Sequence, residues 1–382
     1  MSKYIADSIR NNSRFIISEL TKPQSKAVSE IIRGLFVKNT PILRHLAQDD
    51  SILTKKQAEK YSHHLGNINI KDRVDDFAFK QARKTVKNKT IIAYDLTDIS
   101  KESSKKMENI SRVFDGSKRK TTNGFLLHGV GINNHLVKLE VHDSDAKTLN
   151  QTRRKIVDEL SEKLDKQGIW VFDRGNDDKQ IFKYLRQTTK VQFIARVKLN
   201  RQVVIKETGV KIQVKNLKPG KYKVYLMNFH NTHVDTNFEY TLVIQKHLQN
   251  KPPIRLISSL QYAKYTKKEL VKMYLERWGV ENIYRRVKTK FLLEKIRVLC
   301  YKKFVNLVSL IQFAIVISTS IFIQLLESTT VWIAGVLATY KHFIKMKSVS
   351  INIDSFISFM STVLKPLFIK KSPPPNNQLV LL

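Results

Sequence analysis

The chain has 382 residues, 42% of them hydrophobic, and carries 68 Lys+Arg against 33 Asp+Glu, a formal charge of +35. It is too long for one ordinary domain and too apolar for a disordered basic tail, and such an excess of positive charge points to nucleic acid as partner and away from a small-molecule substrate. The single cysteine, Cys300, excludes a disulfide framework and a thiolate zinc site, and the opening MSKYIADSIR lacks a secretory apolar run, so a cytoplasmic, nucleoid-associated protein is expected.

Residues 1–88 read as short helices and form the expected DNA-binding region. Val28, Ile31, Ile32, Leu35 and Phe36 recur at helical spacing and predict one buried stripe. Thr40-Pro41 is a start signal for ILRHLA. The run Thr54 to Gln57 is a capping-box pattern, with Gly66 as the stop of that helix.

From residue 90 the texture changes to strands. TIIAYD (90–95), FLLHGVGI (125–132) and HLVKLEVH (135–142) are β-branched and aromatic, with Asn133-Asn134 as a turn between the last two. A helical pattern over 145–167, a short strand ending at Asp173, a helix KQIFKYLRQ capped by Asp177 or Asp178, and the strand FIARV (193–197) complete the first part of the core, 89–197. Residues 198–253 carry only strand-like runs, VVIKE, VKIQV, KYKVYLM and YTLVIQ, and read as a β-strand insertion; IRLISSL then returns to the core.

The second part of the core, 254–345, is largely helical, and residues 346–382 are a closing helix and a loose tail with SPPPNNQ. Phe304 to Leu326 is 23 residues without a charge, long enough to span a bilayer. Asn306, Ser309, Gln312, Ser320 and Gln324 share one arc of that helix, however, which favours a buried closing helix and no membrane. His63-His64 and the His230/His233 pair have no acids or thiols nearby, and no zinc is assigned.

The chemistry concentrates in three places. Asp95 in IIAYDLTD and Asp173 in IWVFDRGND end apolar strands, where α/β folds place their sites; Asp98, three residues on, is read as a turn or cap residue. In YLERWGVENIYRRVK, Tyr274, Arg277, Glu281 and Lys288 fall within one arc of a continuous helix over about 267–290, with Trp278 expected to anchor it to the core. Between Gln261 and Lys303 there are 13 Lys/Arg against four Glu, so Glu281 sits where phosphates are drawn. Three carboxylates meeting in a basic cleft make a site for divalent cations. Two such ions roughly 3.5–4 Å apart activate an attacking oxygen and stabilise a leaving one without any protein nucleophile.

Together these motifs resemble the DDE transposases of bacterial insertion sequences, in the branch with a Tyr-x2-Arg-x3-Glu-x6-Lys signature, matched by Tyr274, Arg277, Glu281 and Lys288. The Asp95-Leu-Thr97 and Asp173-Arg174-Gly175 motifs and the 108 positions between Asp173 and Glu281 agree with that branch. The resemblance covers about residues 20–325 and implies an α/β, RNase H-like catalytic core, a mixed sheet with flanking helices interrupted by the β insertion. It implies Asp95, Asp173 and Glu281 as catalytic ligands of two Mg²⁺ ions, with Mn²⁺ as substitute, and Tyr274, Arg277, Lys288, Arg285 and Arg174 as DNA contacts. The implied reaction is cleavage of transposon ends and joining of the 3′-hydroxyls to target DNA, by a dimer in the synaptic complex. The alternatives left open are a metal-dependent DNA nuclease that does not join and an inactive, DNA-binding transposase remnant.

Overall fold

In the computed structural model, the structure is described for residues 2–47, 54–116, 118–133, 135–228, 230–246, 252–327 and 352–368. The SPPPNNQ tail and Asn134 lie outside these residues. The chain forms two units. One comprises residues 78–104 and 109–284, the other 1–77, 105–108 and 285–382.

The first unit is built on one sheet of eleven strands: β1 (Ile91–Ser100), β2 (Ser111–Asp115), β3 (Lys120–Ile132), β4 (His135–Val141), β5 (Ile169–Phe172), β6 (Gln192–Arg196), β7 (Gln202–Ile205), β8 (Lys211–Gln213), β9 (Gly220–Met227), β10 (Val234–Gln245) and β11 (Ile254–Ser258). The order is β2-β3-β1-β5-β6-β11-β10-β9-β7-β8, with β4 also paired to β3. β1 runs antiparallel to β3 and parallel to β5, and β5 runs parallel to β6. The parallel connections require crossovers, and the helices Leu149–Lys163 and Lys179–Tyr184 supply them. Thr148 caps the first through a reciprocal pairing with Gln151, so that helix starts four residues later than the 145–167 pattern suggests.

The all-strand stretch 198–253 does not fold aside as a separate layer. Its β10 pairs antiparallel with β11, and β11 with β6, so the same sheet continues through it. β2 had no sequence signal of its own, because its SRVFD is short and half polar; it forms on the template of β3.

Side chains alternate across the sheet, and the two faces are covered differently. Ile92, Tyr94, Trp170, Phe172 and Phe193 enter a large core with Ile156, Leu160 and Phe182 of the crossover helices. Ile91, Ile169, Val171 and Ile194 enter a smaller core with Leu270 and Tyr274 of the helix Lys267–Leu275. Each large apolar side chain so buried contributes about 1.5–3 kcal/mol.

The second unit is helical. The stripe Val28, Ile31, Ile32, Leu35 and Phe36 is buried in the helix Lys22–Lys38. The helix Tyr301–Glu327 is long and apolar enough to cross a membrane, yet its most apolar stretch is 83% buried within the protein. Its polar stripe explains how it docks. Asn306 donates to the carbonyls of Leu65 and Ile68 at 2.9 and 3.1 Å, Gln312 donates to Asp75 at 3.0 Å, and Phe313 meets Phe77 at 5.1 Å. Each buried polar group on an otherwise apolar helix needs such a partner, which fixes the helix in one rotation.

Candidate active site

The sheet register explains how Asp95 and Asp173 meet. The parallel pairing of β1 with β5 ends at Tyr94–Phe172, whose rings pack together at 5.5 Å on the large-core face. Asp95 and Asp173 are the next residues on these neighbouring strands, so alternation turns both carboxylates to the opposite face. β1 itself does not end there. It continues to Ser100 against β3, which makes Asp98 a strand residue paired with Leu126, not the expected turn or cap, and puts it on the other face from Asp95.

Asp173 is held by its own loop. Its Oδ1 accepts a hydrogen bond from the Asn176 backbone N–H at 3.1 Å and another from the Asn176 side-chain amide. Gly175 lets the loop turn this tightly, since a Cβ there would lie 3.3 Å from both carboxylate oxygens. Arg174 projects into solvent. Asp178 caps the helix Lys179–Tyr184 as expected, through the Gln180 N–H. Asp177 does not; it is buried in an ion pair with Arg201 at 2.6 Å.

The expected helix over 267–290 is broken into Lys267–Leu275 and Trp278–Lys290. At the break Arg277 N–H bonds to Tyr274 O, and Val280 N–H to Arg277 O, so i→i+3 bonds replace the α-helical i→i+4 bonds. The tighter turn ends the single line of signature residues and aims Arg277 inward. Its Nη1 donates to Asp95 Oδ2 at 2.8 Å and its Nη2 to Glu281 Oε1 at 2.5 Å. One guanidinium thus joins two carboxylates that are 186 positions apart in the chain (281 − 95). The Arg277 side chain is 7% exposed, Asp95 13% and Glu281 46%, so the site is closed at the sheet and open at the helix.

Electrostatically the site is crowded with negative charge. Burial pushes the Asp95 carboxyl up to about 7; the charge of Asp173 adds to this, Arg277 and the Leu96 N–H oppose it, and Glu281 adds a smaller push. For Arg277, burial disfavours the charged form, but Asp95, Tyr274 and Glu281 outweigh it and hold the guanidinium protonated.

Tyr274 of the signature and its neighbour Trp278 depart from their expected settings. Tyr274 is 3% exposed, packed in the smaller core, with the Arg277 guanidinium 5.7 Å over its ring, so it supports the arginine and does not face solvent. Trp278 is 64% exposed and does not anchor the helix; Val280, Ile283 and Tyr284 do that. Lys288 and Arg285 belong to the helical unit. There Lys288 lies 3.4 Å from Glu294, and Arg285 3.4 Å from Asp354.

Sequence reasoning missed three supporting residues. Tyr284, one turn after Glu281, is buried and donates to the Asp95 carbonyl oxygen at 2.5 Å. Gly129 faces Asp95 in the β1–β3 register, and a Cβ there would lie 2.1 Å from the Tyr284 hydroxyl. Asn176 completes the set. Only the Asp173-x2-Asn176 spacing, a side-chain cap pattern, carried a readable signal.

Among the described residues no group of three His, Cys, Asp or Glu side chains is arranged to hold a metal ion as it stands. The donor set nevertheless fits a divalent cation. Its groups are hard oxygen donors, and two of them already share a positive group while a third raises the charge density.

The model of the family described as transposase DDE domain matches residues 87–317, which include Asp95, Asp173 and Glu281. A comparison with curated proteins finds no match. The chain belongs to the DDE-domain transposase family.

Proposed function

We propose that this transposase cleaves DNA at the ends of its element and joins the freed 3′-hydroxyls to target DNA, with Asp95, Asp173 and Glu281 as one catalytic set. The observation that carries this reading is the bridge Asp95–Arg277–Glu281, with Asp173 on the adjoining strand. The sheet order β4-β3-β1-β5-β6, antiparallel then parallel, supports an RNase H-like core, with 198–253 as its β insertion.

Asp95, Asp173 and Glu281 would hold Mg²⁺ or Mn²⁺, which supplies activation of the attacking oxygen and charge stabilisation at the leaving one. The protein's own part is positioning. Asn176 fixes the Asp173 carboxylate, and Tyr284 fixes the Asp95 main chain. Glu281, on the open side, is the acid that substrate approaches. Arg277 screens the carboxylates from one another and from the incoming phosphate. Arg174 and Trp278, both exposed and next in the chain to Asp173 and Arg277, suit phosphate contact and base stacking. Arg285, Lys288 and the helices of residues 1–77, all in the helical unit, supply further basic side chains for DNA contact, and two copies act on paired ends.

The test is an assay of end cleavage and 3′-end joining on a duplex carrying the element's terminus. Glu281→Gln keeps shape and removes a charge, and is expected to abolish both steps by at least ~10³-fold while duplex binding persists. Cleavage that survives in this variant overturns the assignment. Cleavage without joining in the wild-type protein makes it a nuclease instead.

A further inference from the structure

We infer that Arg277 is a built-in counter-ion that occupies the divalent-cation position in the DNA-free protein and gives it up when a DNA phosphate arrives, so that metal loading and DNA binding favour one another. This inference rests on the proposed catalytic set and concerns how that set is regulated.

Two observations carry it. Arg277 contacts both Asp95 and Glu281 through separate nitrogens, at 2.8 and 2.5 Å, which is the pairwise reach expected of a cation shared by two ligands. In addition, the arginine sits on the two-residue irregularity between helices, with Trp278 and Leu275 exposed on either side, so it can swing outward without unpacking a helix interior.

The consequence follows from charge. While Arg277 lies between the carboxylates, an incoming divalent ion must displace a cation already neutralising them, and affinity is reduced. A phosphate at the mouth offers Arg277 a bidentate anionic partner, and its departure leaves the carboxylates free for the ion. Linkage makes the effect reciprocal: metal in the site expels Arg277 toward phosphate and strengthens DNA binding by the same factor.

The experiment measures Mn²⁺ affinity of the full chain without DNA, by calorimetry or electron paramagnetic resonance, for wild type, Arg277→Gln and Glu281→Gln. Removing the competing cation is expected to tighten Mn²⁺ binding about fivefold or more in Arg277→Gln, while Glu281→Gln weakens it. Arg277→Lys, which keeps one charge and cannot bridge both carboxylates, is expected between wild type and Arg277→Gln, and stands in should Arg277→Gln fail to fold. A second arm measures binding of a mixed-sequence 30-base-pair duplex with and without Ca²⁺. Wild type is expected to gain about fivefold from the cation and Arg277→Gln to gain nothing. Mn²⁺ binding that weakens or stays unchanged in Arg277→Gln, with Glu281→Gln still weakened, overturns the inference and leaves the catalytic set standing. No Mn²⁺ binding in any of the proteins overturns both.

Discussion

Asp177 and Asp95 lie in the same sheet unit and each is paired with an arginine, but their surroundings differ. Asp177 receives Arg201 through Nε and Nη2, at 3.1 and 2.6 Å, together with the Lys198 N–H at 2.7 Å. Its side chain is fully buried, and Arg201 also donates to the Asp177 carbonyl, so the two residues close on each other. Asp95 must share Arg277 with Glu281 and tolerate Asp173 beside it, and its carboxyl rises to about 7. A closed pair serves the fold, whereas a cation shared by two acids, with a third acid nearby, leaves charge to spare for a ligand.

The contrast can be broken by substitution, and the effects on stability should fall in order. Asp177→Ala leaves the mostly covered Arg201 guanidinium without its carboxylate and is expected to cost about 3 kcal/mol, read as a lowered denaturant midpoint; a neutral result would show that this pair is not closed. Asp95→Asn is expected to act in the other direction. Between pH ~4 and 7 the folded protein keeps a proton on Asp95 that the unfolded chain has released, so wild-type stability falls as pH rises through that window and is lowest above it. Asn cannot titrate. The variant should match wild type near pH 4 and exceed it at pH 8 by about 1–3 kcal/mol, and a variant less stable than wild type at pH 8 would contradict the crowding of charge around Asp95. Glu281→Gln, at a half-exposed carboxylate, should change stability by no more than about 0.5 kcal/mol in a thermal melt, and a large loss would make Glu281 structural.

How much of this was legible in the sequence depends on the range of the interactions involved. The main β1, β3, β4, β5 and β6 segments announced themselves through β-branched runs, and the helical stripe of Lys22–Lys38 through its period, because both are local patterns. Asp173 was readable as a strand-end acid, whereas Asp95 lies inside β1, which runs on to Ser100; their adjacency comes from the β1–β5 register, which no local pattern encodes. The break at Glu276–Arg277 was invisible, since every residue around it except Gly279 is compatible with an uninterrupted helix. That hid the inward turn of Arg277 and the burial of Tyr274, and it left Trp278 outside. Asp177 was misread as a cap because its partner, Arg201, is 24 residues away. Tyr284 and Gly129 carry meaning only as a pair, 155 positions apart (284 − 129), brought together by the sheet and the helix above it.

The central claim is that Asp95, Asp173 and Glu281 act as a unit, and the most direct measurement compares single-turnover cleavage rates of Asp95→Asn, Asp173→Asn, Glu281→Gln and the triple variant on one duplex substrate. Residues acting as one site lose their function together, so each single variant is predicted to fall to about the same floor as the triple. Losses that add up site by site, or one single variant that still cleaves near the wild-type rate, would contradict it.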